Sequence, residues 1–220
     1  MKTIAYIDGG NLYHGLLRRC PRYKWLDVAA LVRGLLSEGH DLVDVKYFTA
    51  RVKTYPHDAA AVERQNLYLS AIEAHGGVKI IEGYYNEGYY NKNKAWVPSV
   101  NAECRECDNA VEGYVHVMKM EEKRSDVNLV TELLKDAYED AAEAFVIVSG
   151  DADFIAPLDL VRYQLRRKVV VFNPHERATD LRFHSTFCTA IPRDLPARCQ
   201  LPDVVPLPNG RFIHRPPAWR

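Results

Sequence analysis

Apolar positions along the chain fall into two alternating kinds of segment. Five short runs rich in β-branched residues, at 3–8 (TIAYID), 43–49 (VDVKYFT), 78–83 (VKIIEG), 145–149 (FVIVS) and 168–173 (KVVVFN), are mostly continuous rather than alternating in polarity. Strands covered on both faces read this way. Between them, apolar residues recur at helical spacing. The predicted helices cover 11–19, 26–37 (ending at Gly39), 58–75 (with Val62, Leu67, Leu69 and Ile72, stopping at Gly76 and Gly77), 126–140 and 154–167. In the fourth, Val127, Val130, Leu133, Leu134 and Ala137 are the expected buried set; in the fifth, Ile155, Leu158, Leu160, Val161 and Leu165. Strands alternating with helices predict an α/β layer fold around a mainly parallel sheet.

Two segments break the alternation. Residues 84–124 form a long, polar, tyrosine-rich insertion between the third and fourth strands, and 193–220 are rich in proline. The expected organisation is one domain at 1–192 carrying the insertion, followed by an extended tail that wraps it or stays mobile.

Composition narrows the picture only a little. Hydrophobic residues make up 47% and charged residues 26%, so a packed core is expected, and 220 residues suffice to build one. Lys+Arg and Asp+Glu both number 29, so any nucleic-acid contact requires clustered cations or a divalent metal rather than bulk charge. No stretch approaches a membrane span, and the apolar run at the N-terminus stops at Asp8 without a small-residue cleavage site. Five scattered cysteines do not suggest a disulfide framework, so a reduced, cytoplasmic protein is expected.

The candidate chemistry lies at strand ends. The first strand closes with Asp8, then Gly9 and Gly10 for a sharp turn and Asn11 to cap a helix. The fourth closes with Ser149 and Gly150, then Asp151 and Asp153; Asp126 opens its own helix in KRSDVNL. Ligands of open parallel sheets bind beyond the carboxyl ends of strands, where the strand order reverses. If the strands run 3-2-1-4-5, the first and fourth are neighbours at that reversal, and Asp8, Asn11, Asp151 and Asp153 converge. Clustered carboxylates raise one another's pKa or recruit a cation, and an all-oxygen set suits Mg²⁺ or Mn²⁺ better than Zn²⁺. Singly, each acid reads as a turn-former, an N-cap or a first-turn residue. Their joint placement on successive strand ends is what favours catalysis.

The blocks YIDGGNLY, EEKRSDVNLVTELL and FVIVSGDADFIAPL, in this order and spacing, resemble the three signature blocks of the NYN domain family, part of the PIN-like ribonuclease superfamily. The resemblance spans about residues 1–192. It implies a Rossmann-like sheet in the order 3-2-1-4-5, with helices on both faces, and Mg²⁺- or Mn²⁺-dependent hydrolysis of single-stranded RNA. By motif position it implies Asp8, Asp126, Asp151 and Asp153 as metal-binding acids and Asn11 as their polar partner.

Weaker signals surround this core. Lys123 and Arg124 precede Asp126 and are candidate phosphate contacts. Tyr89, Tyr90, Lys92 and Lys94 combine rings with cations, a pattern suited to stacking on unpaired bases; a hairpin cover or a homodimer contact is the alternative. Cys104 and Cys107 have knuckle spacing but lack two further ligands, so a reduced pair is expected rather than zinc. His14, His57, His75 and His184 show no ligand spacing and are expected in ordinary roles. Two other functions compete: a non-catalytic RNA-binding or regulatory module, and a Mg²⁺-dependent phosphatase. The phosphatase is disfavoured because Gly10 stands where a second aspartate is required.

Overall fold

The computed structural model describes residues 1–52, 59–85, 94–98, 114–118, 122–175, 177 and 179–220, with the backbone alone at 94–98 and 114–118. Its centre is a six-stranded sheet of β1 (Lys2–Asp8), β2 (Asp41–Thr49), β3 (Lys79–Glu82), β4 (Ala144–Val148), β5 (Lys168–Asn173) and β6 (Phe187–Ala190). They lie in the order 6-5-4-1-2-3, and every neighbouring pair is parallel. The expected order 3-2-1-4-5 is present with one strand added at the edge. FCTA of β6 was missed because it is short and only Cys188 is even half-buried, so it lacks the continuous apolar signature of the interior strands.

Side chains alternate across the sheet, and each face builds its own core. Ala5, Ile7, Val45, Tyr47, Val146 and Val148 face α1 (Gly9–Leu12), α2 (Val28–Leu35) and α3 (Ala61–Gly76). Ile4, Tyr6, Phe48, Phe145 and Ile147 face α4 (Ser125–Tyr138) and α5 (Ile155–Asp159). The ends follow local chemistry. Asp27 caps α2 by accepting the Ala30 N–H at 2.9 Å, and Gly77 closes α3 in the left-handed region at φ 62°. The buried face of α4 differs from the expected one. Val127 is 67% exposed, and Leu129, Leu133 and Ala137 carry the packing, because Val127 lies in the first turn at the flank of the buried stripe centred on Leu133.

The proline-rich segment is ordered against the first face. Helix α6 (Leu195–Arg198) and an antiparallel pair, Val204–Pro206 with Phe212–His214, bury Leu195, Cys199, Leu201, Val205 and Ile213 in the same core as β1 and α2. Trp25 donates from Nε1 to the Pro202 carbonyl at 2.8 Å, tying the segment down. In the insertion, Tyr84–Tyr85 pairs with Glu122–Lys123, and Lys94–Pro98 pairs with Tyr114–Met118, all antiparallel. Tyr89, Tyr90, Lys92, Cys104, Cys107 and His57 lie outside the described residues. Among the described residues no helix is long and apolar enough to cross a membrane, and Cys20, Cys188 and Cys199 are free thiols.

Candidate functional site

Two turns at the β1/β4 switch point build the site. Ile7 pairs with Val148, which brings the next residues, Asp8 and Ser149, side by side. Asp8 accepts the Asn11 N–H at 2.8 Å through Oδ1 and the Ser149 hydroxyl at 3.0 Å through Oδ2. Ser149 Oγ in turn accepts the Asp151 N–H at 3.2 Å. Asn11 Oδ1 accepts the Gly150 N–H at 3.0 Å, so the first turn holds the second. Asp151 then caps the 3₁₀ turn Ala152–Phe154 by accepting the Asp153 N–H at 3.1 Å. Gly9 is required by close approach, since a Cβ there would lie 2.7 Å from the Phe48 carbonyl oxygen and 2.8 Å from the Tyr47 ring.

Gly150 is equally constrained. A Cβ would fall 2.4 Å from Asn173 Oδ1, and Asn173 is locked by the His175 N–H at 2.9 Å and by its own bond to the Arg177 carbonyl at 2.8 Å. Gly150→Ala must therefore displace the 149–153 turn and separate Asp151 from Asp8. The expected result is a chain that still folds, by circular dichroism, but turns over its substrate on the order of 10²-fold more slowly. Undiminished turnover would show that the spacing of the two turns is irrelevant.

Asp8, Asn11, Glu122, Asp126 and Asp151 line one crevice of about 240 Å³, with Gly10, His14 and His175 completing its wall. Burial, reinforced by the charges of Asp126 and Glu122, pushes Asp8 up to about 6, against the opposing bonds from Asn11 and Ser149. Asp126 is raised by burial and by the charges of Asp151 and Asp153. Glu122 is raised by burial and by Asp126, with its bond from the Ser125 hydroxyl acting the other way. His14 is lowered by burial, Arg18 and His175, which favours its neutral form.

The structure thus brings together Asp8, Asn11, Asp126 and Asp151. Asp153 lies outside the crevice lining, exposed in the 3₁₀ turn, and reaches it through its charge on Asp126. Lys123 and Arg124 are exposed and do not line it; the Arg124 guanidinium lies 4.7 Å from the Tyr84 ring centroid. Lys94 opens a described strand, but its side chain is outside the description. Three wall residues lie outside the expected site. Glu122 belongs to the EEKRSD block but is not among its expected ligands, His14, expected in an ordinary role, lies three residues after Asn11 on the same helical turn, and His175 has no local signal.

A hard cation fits the donor chemistry, which is carboxylate oxygens plus an amide, and its charge would relieve the repulsion that raises Asp8 and Asp126. Among the described residues no three His, Cys, Asp or Glu side chains are close enough to ligate one ion directly. The fit is therefore to a hydrated Mg²⁺ or Mn²⁺ held by one or two carboxylates and otherwise through water, the usual manner of Mg²⁺.

A second chamber of about 450 Å³ adjoins the crevice, sharing Gly10, His14 and Glu122 with it. Tyr13, Tyr47, Tyr68, Tyr85 and Trp219 supply its rings, and Arg18, Lys24 and Arg64 its cations.

Acids gathered beyond the ends of the central strands of a parallel α/β sheet are the arrangement of the PIN-like, nuclease-type fold to which the matched family belongs. Residues 2–189 match the NYN domain, and the chain belongs to that family, whose members are generally nucleases. It is also 31% identical over 249 residues to 6-hydroxy-3-succinoylpyridine 3-monooxygenase HspA of Pseudomonas putida (strain DSM 28022 / S16), an alignment covering 100% of this chain and 75% of that one. A crystal structure of a Vibrio parahaemolyticus protein of unknown function is similar at a TM-score of 0.48 and 15% identity, over 87% of this chain and 94% of that one. A SIR2 complex with an inhibitor, an acetyl-ADP-ribose and a peptide follows at 0.35 and 11%, over 90% of each chain. Neither likeness is close enough to add to the fold described above.

Proposed function

We propose that the chain is a metal-dependent ribonuclease that hydrolyses phosphodiester bonds of single-stranded RNA. The observation that carries this reading is the convergence of Asp8, Glu122, Asp126 and Asp151, from three separate segments of the chain, on one crevice at the strand-order reversal. Asp8, Asp126 and Asp151 would hold a hydrated Mg²⁺ or Mn²⁺, one or two of them directly and the rest through water, with Asp153 adding negative charge from outside. A bound ion of this kind supplies Lewis acidity toward a phosphate oxygen and lowers the pKa of its water. Asn11 commits its carbonyl oxygen to Gly150, which leaves Nδ2 as the atom that can donate to a phosphate oxygen. Neutral His14 on the crevice wall is the group able to take up a proton, whereas Asp8 stays ionised while it holds the cation.

The test is cleavage of end-labelled single-stranded RNA by the purified chain with Mg²⁺, Mn²⁺ or EDTA. Cleavage with either metal and none in EDTA is expected. Cleavage that persists in EDTA excludes the mechanism, and none under any condition excludes the activity.

One observation favours a second reading. The chamber beside the acids is large enough for a single ring with a short acidic chain, and the relative matched along the whole of this chain is a monooxygenase named for such a substrate. On that reading the chain hydroxylates a small aromatic acid, using oxygen and a two-electron reductant. Hydroxylated product from 6-hydroxy-3-succinoylpyridine, alongside intact RNA in the first assay, would select it.

A further inference from the structure

We infer that the aromatic chamber is a binding subsite for a planar heteroaromatic ring carrying an anionic group, and that Trp219 is its selecting wall. The inference adds the substrate-choosing half to the proposed site, and its test measures binding apart from turnover so that the two can fail separately.

The chamber has the volume of a small-ligand pocket and a lining suited to one chemistry. Its rings are fixed rather than adaptable. Tyr68 donates to the Leu26 carbonyl at 3.0 Å. The Trp219 ring stands against Tyr68 at 6.1 Å and Trp25 at 6.2 Å between centroids. Arg215 holds the Trp219 carbonyl with two bonds, at 3.1 Å from Nε and 2.7 Å from Nη2, and reaches the Arg22 carbonyl at 2.7 Å. The C-terminal turn is thereby pinned with its ring in the chamber wall. Tyr47 is seated against Gly9, and burial with the charges of Asp8 and Glu122 keeps its phenol protonated. It therefore stands as a hydrogen-bond donor where the chamber meets the acids.

Charge supplies the other half of the specificity. Arg18, Lys24 and Arg64 line the chamber, and Lys24 Nζ lies 5.3 Å from the Tyr13 centroid and 3.4 Å from its hydroxyl. Rings to stack on, with cations beside them, select a flat ring and a negative group together. A ligand so placed reaches the acids across Gly10, His14 and Glu122, the residues common to both cavities. Trp219 lies beyond residues 2–189, so this wall comes from outside the matched family region. Two sources share the chemistry, a mononucleotide and a free heteroaromatic carboxylic acid.

The experiment is titration calorimetry of the full chain in EDTA, on wild type and on Asp8→Asn. The probes are uridine 5′-monophosphate, pyridine-3-carboxylate, and ribose 5-phosphate as the ringless anion. At least one ring-bearing anion should bind on the order of ten-fold or more tightly than ribose 5-phosphate. Trp219→Ala should remove that advantage and Trp219→Phe should largely keep it, with ribose 5-phosphate unaffected by either. Lys24→Ala should weaken every anion. Preference for the nucleotide identifies a base subsite and preference for the pyridine acid a free small substrate; both support the assignment. Equal binding of all three probes, binding of none, or Trp219→Ala equal to wild type overturns it. Ring binding by a chain that leaves RNA intact overturns the nuclease reading alone.

Discussion

Replacing Asp8 with asparagine is expected to abolish RNA cleavage and, at neutral pH, to make the folded chain more stable. Both effects come from one carboxylate, only 8% exposed, that faces Asp126 and Glu122 across the crevice. The loss of a carboxylate proposed to hold the cation should lower the rate on the order of 10³-fold or more. The stability effect follows from the direction of the shift. Asp8 rises in the folded chain from an ordinary 3.8 to about 6, so the native state binds its proton more tightly than the unfolded one does. That contribution is complete below 3.8 and is lost as pH climbs through about 6. Roughly two pH units correspond to about 3 kcal/mol, which the wild-type chain forgoes at pH 7. Asparagine has no such proton to lose and keeps an oxygen for the Asn11 N–H, so the cap survives. Urea unfolding in EDTA from pH 4 to pH 8 should show the variant overtaking wild type between those limits. Adding Mn²⁺ at pH 7.5 should stabilise wild type more than the variant, because the variant keeps Asp126 and Asp151 but lacks the Asp8 carboxylate. A stability difference constant across pH would show that Asp8 does not carry the raised pKa. Retained cleavage would remove it from the mechanism.

Much of the candidate site's placement is legible in the sequence. Strand ends declare themselves in sequence: an apolar run that stops at Asp8 before two glycines, and another that stops at Ser149 before Gly150, mark two turns of one sheet edge. Parallel pairing then makes neighbours of them, and Asp126, Asp151 and Asn11 follow from the same frame. What stayed hidden depends on contacts rather than pattern. Glu122 enters the crevice because the strand Glu122–Lys123 pairs with Tyr84–Tyr85, residues far apart in sequence. His175 arrives from the end of β5 through the locked Asn173 turn. Periodicity also predicts Val127 inside; it is exposed because it lies at the flank of the stripe that Leu129, Leu133 and Ala137 bury. Edge strand β6 and the core-bound C-terminal segment had no continuous apolar run to betray them.

The face opposite the chamber carries the largest expected loss of stability, and it concerns a charge placed where a hydrophobic residue would ordinarily sit. Lys46 is 3% exposed on β2, between Tyr6 and α4, and donates to Asp136 Oδ2 at 2.5 Å and Glu132 Oε2 at 2.7 Å. Tyr6 also donates to Asp136, and burial, with that bond, raises its phenol well above the ordinary range. Burial alone would push Lys46 down; its bonds and attraction to Asp136 and Glu132 outweigh burial and hold it above its usual value. The ammonium additionally lies 5.6 Å from the Tyr6 ring centroid. Lys46→Met removes the cation and leaves Asp136 charged, at 7% exposure, with the Tyr6 hydroxyl as its remaining neighbour in this network. Stranding a buried charge in this way costs about 3–5 kcal/mol, roughly 10 °C in Tm for a chain of this size. Neutralising the partner as well, in Lys46→Met with Asp136→Asn, retains an acceptor for Tyr6 and should recover most of the loss. A double-mutant cycle by urea unfolding therefore separates the cost of the orphaned carboxylate from the worth of the pair. Additive losses would mean that the two residues act independently. Because Asp136 lies on the helix that begins beside Asp126, Lys46→Met is also expected to blunt metal-dependent turnover, and the double variant to restore it, as α4 regains its seat on the sheet.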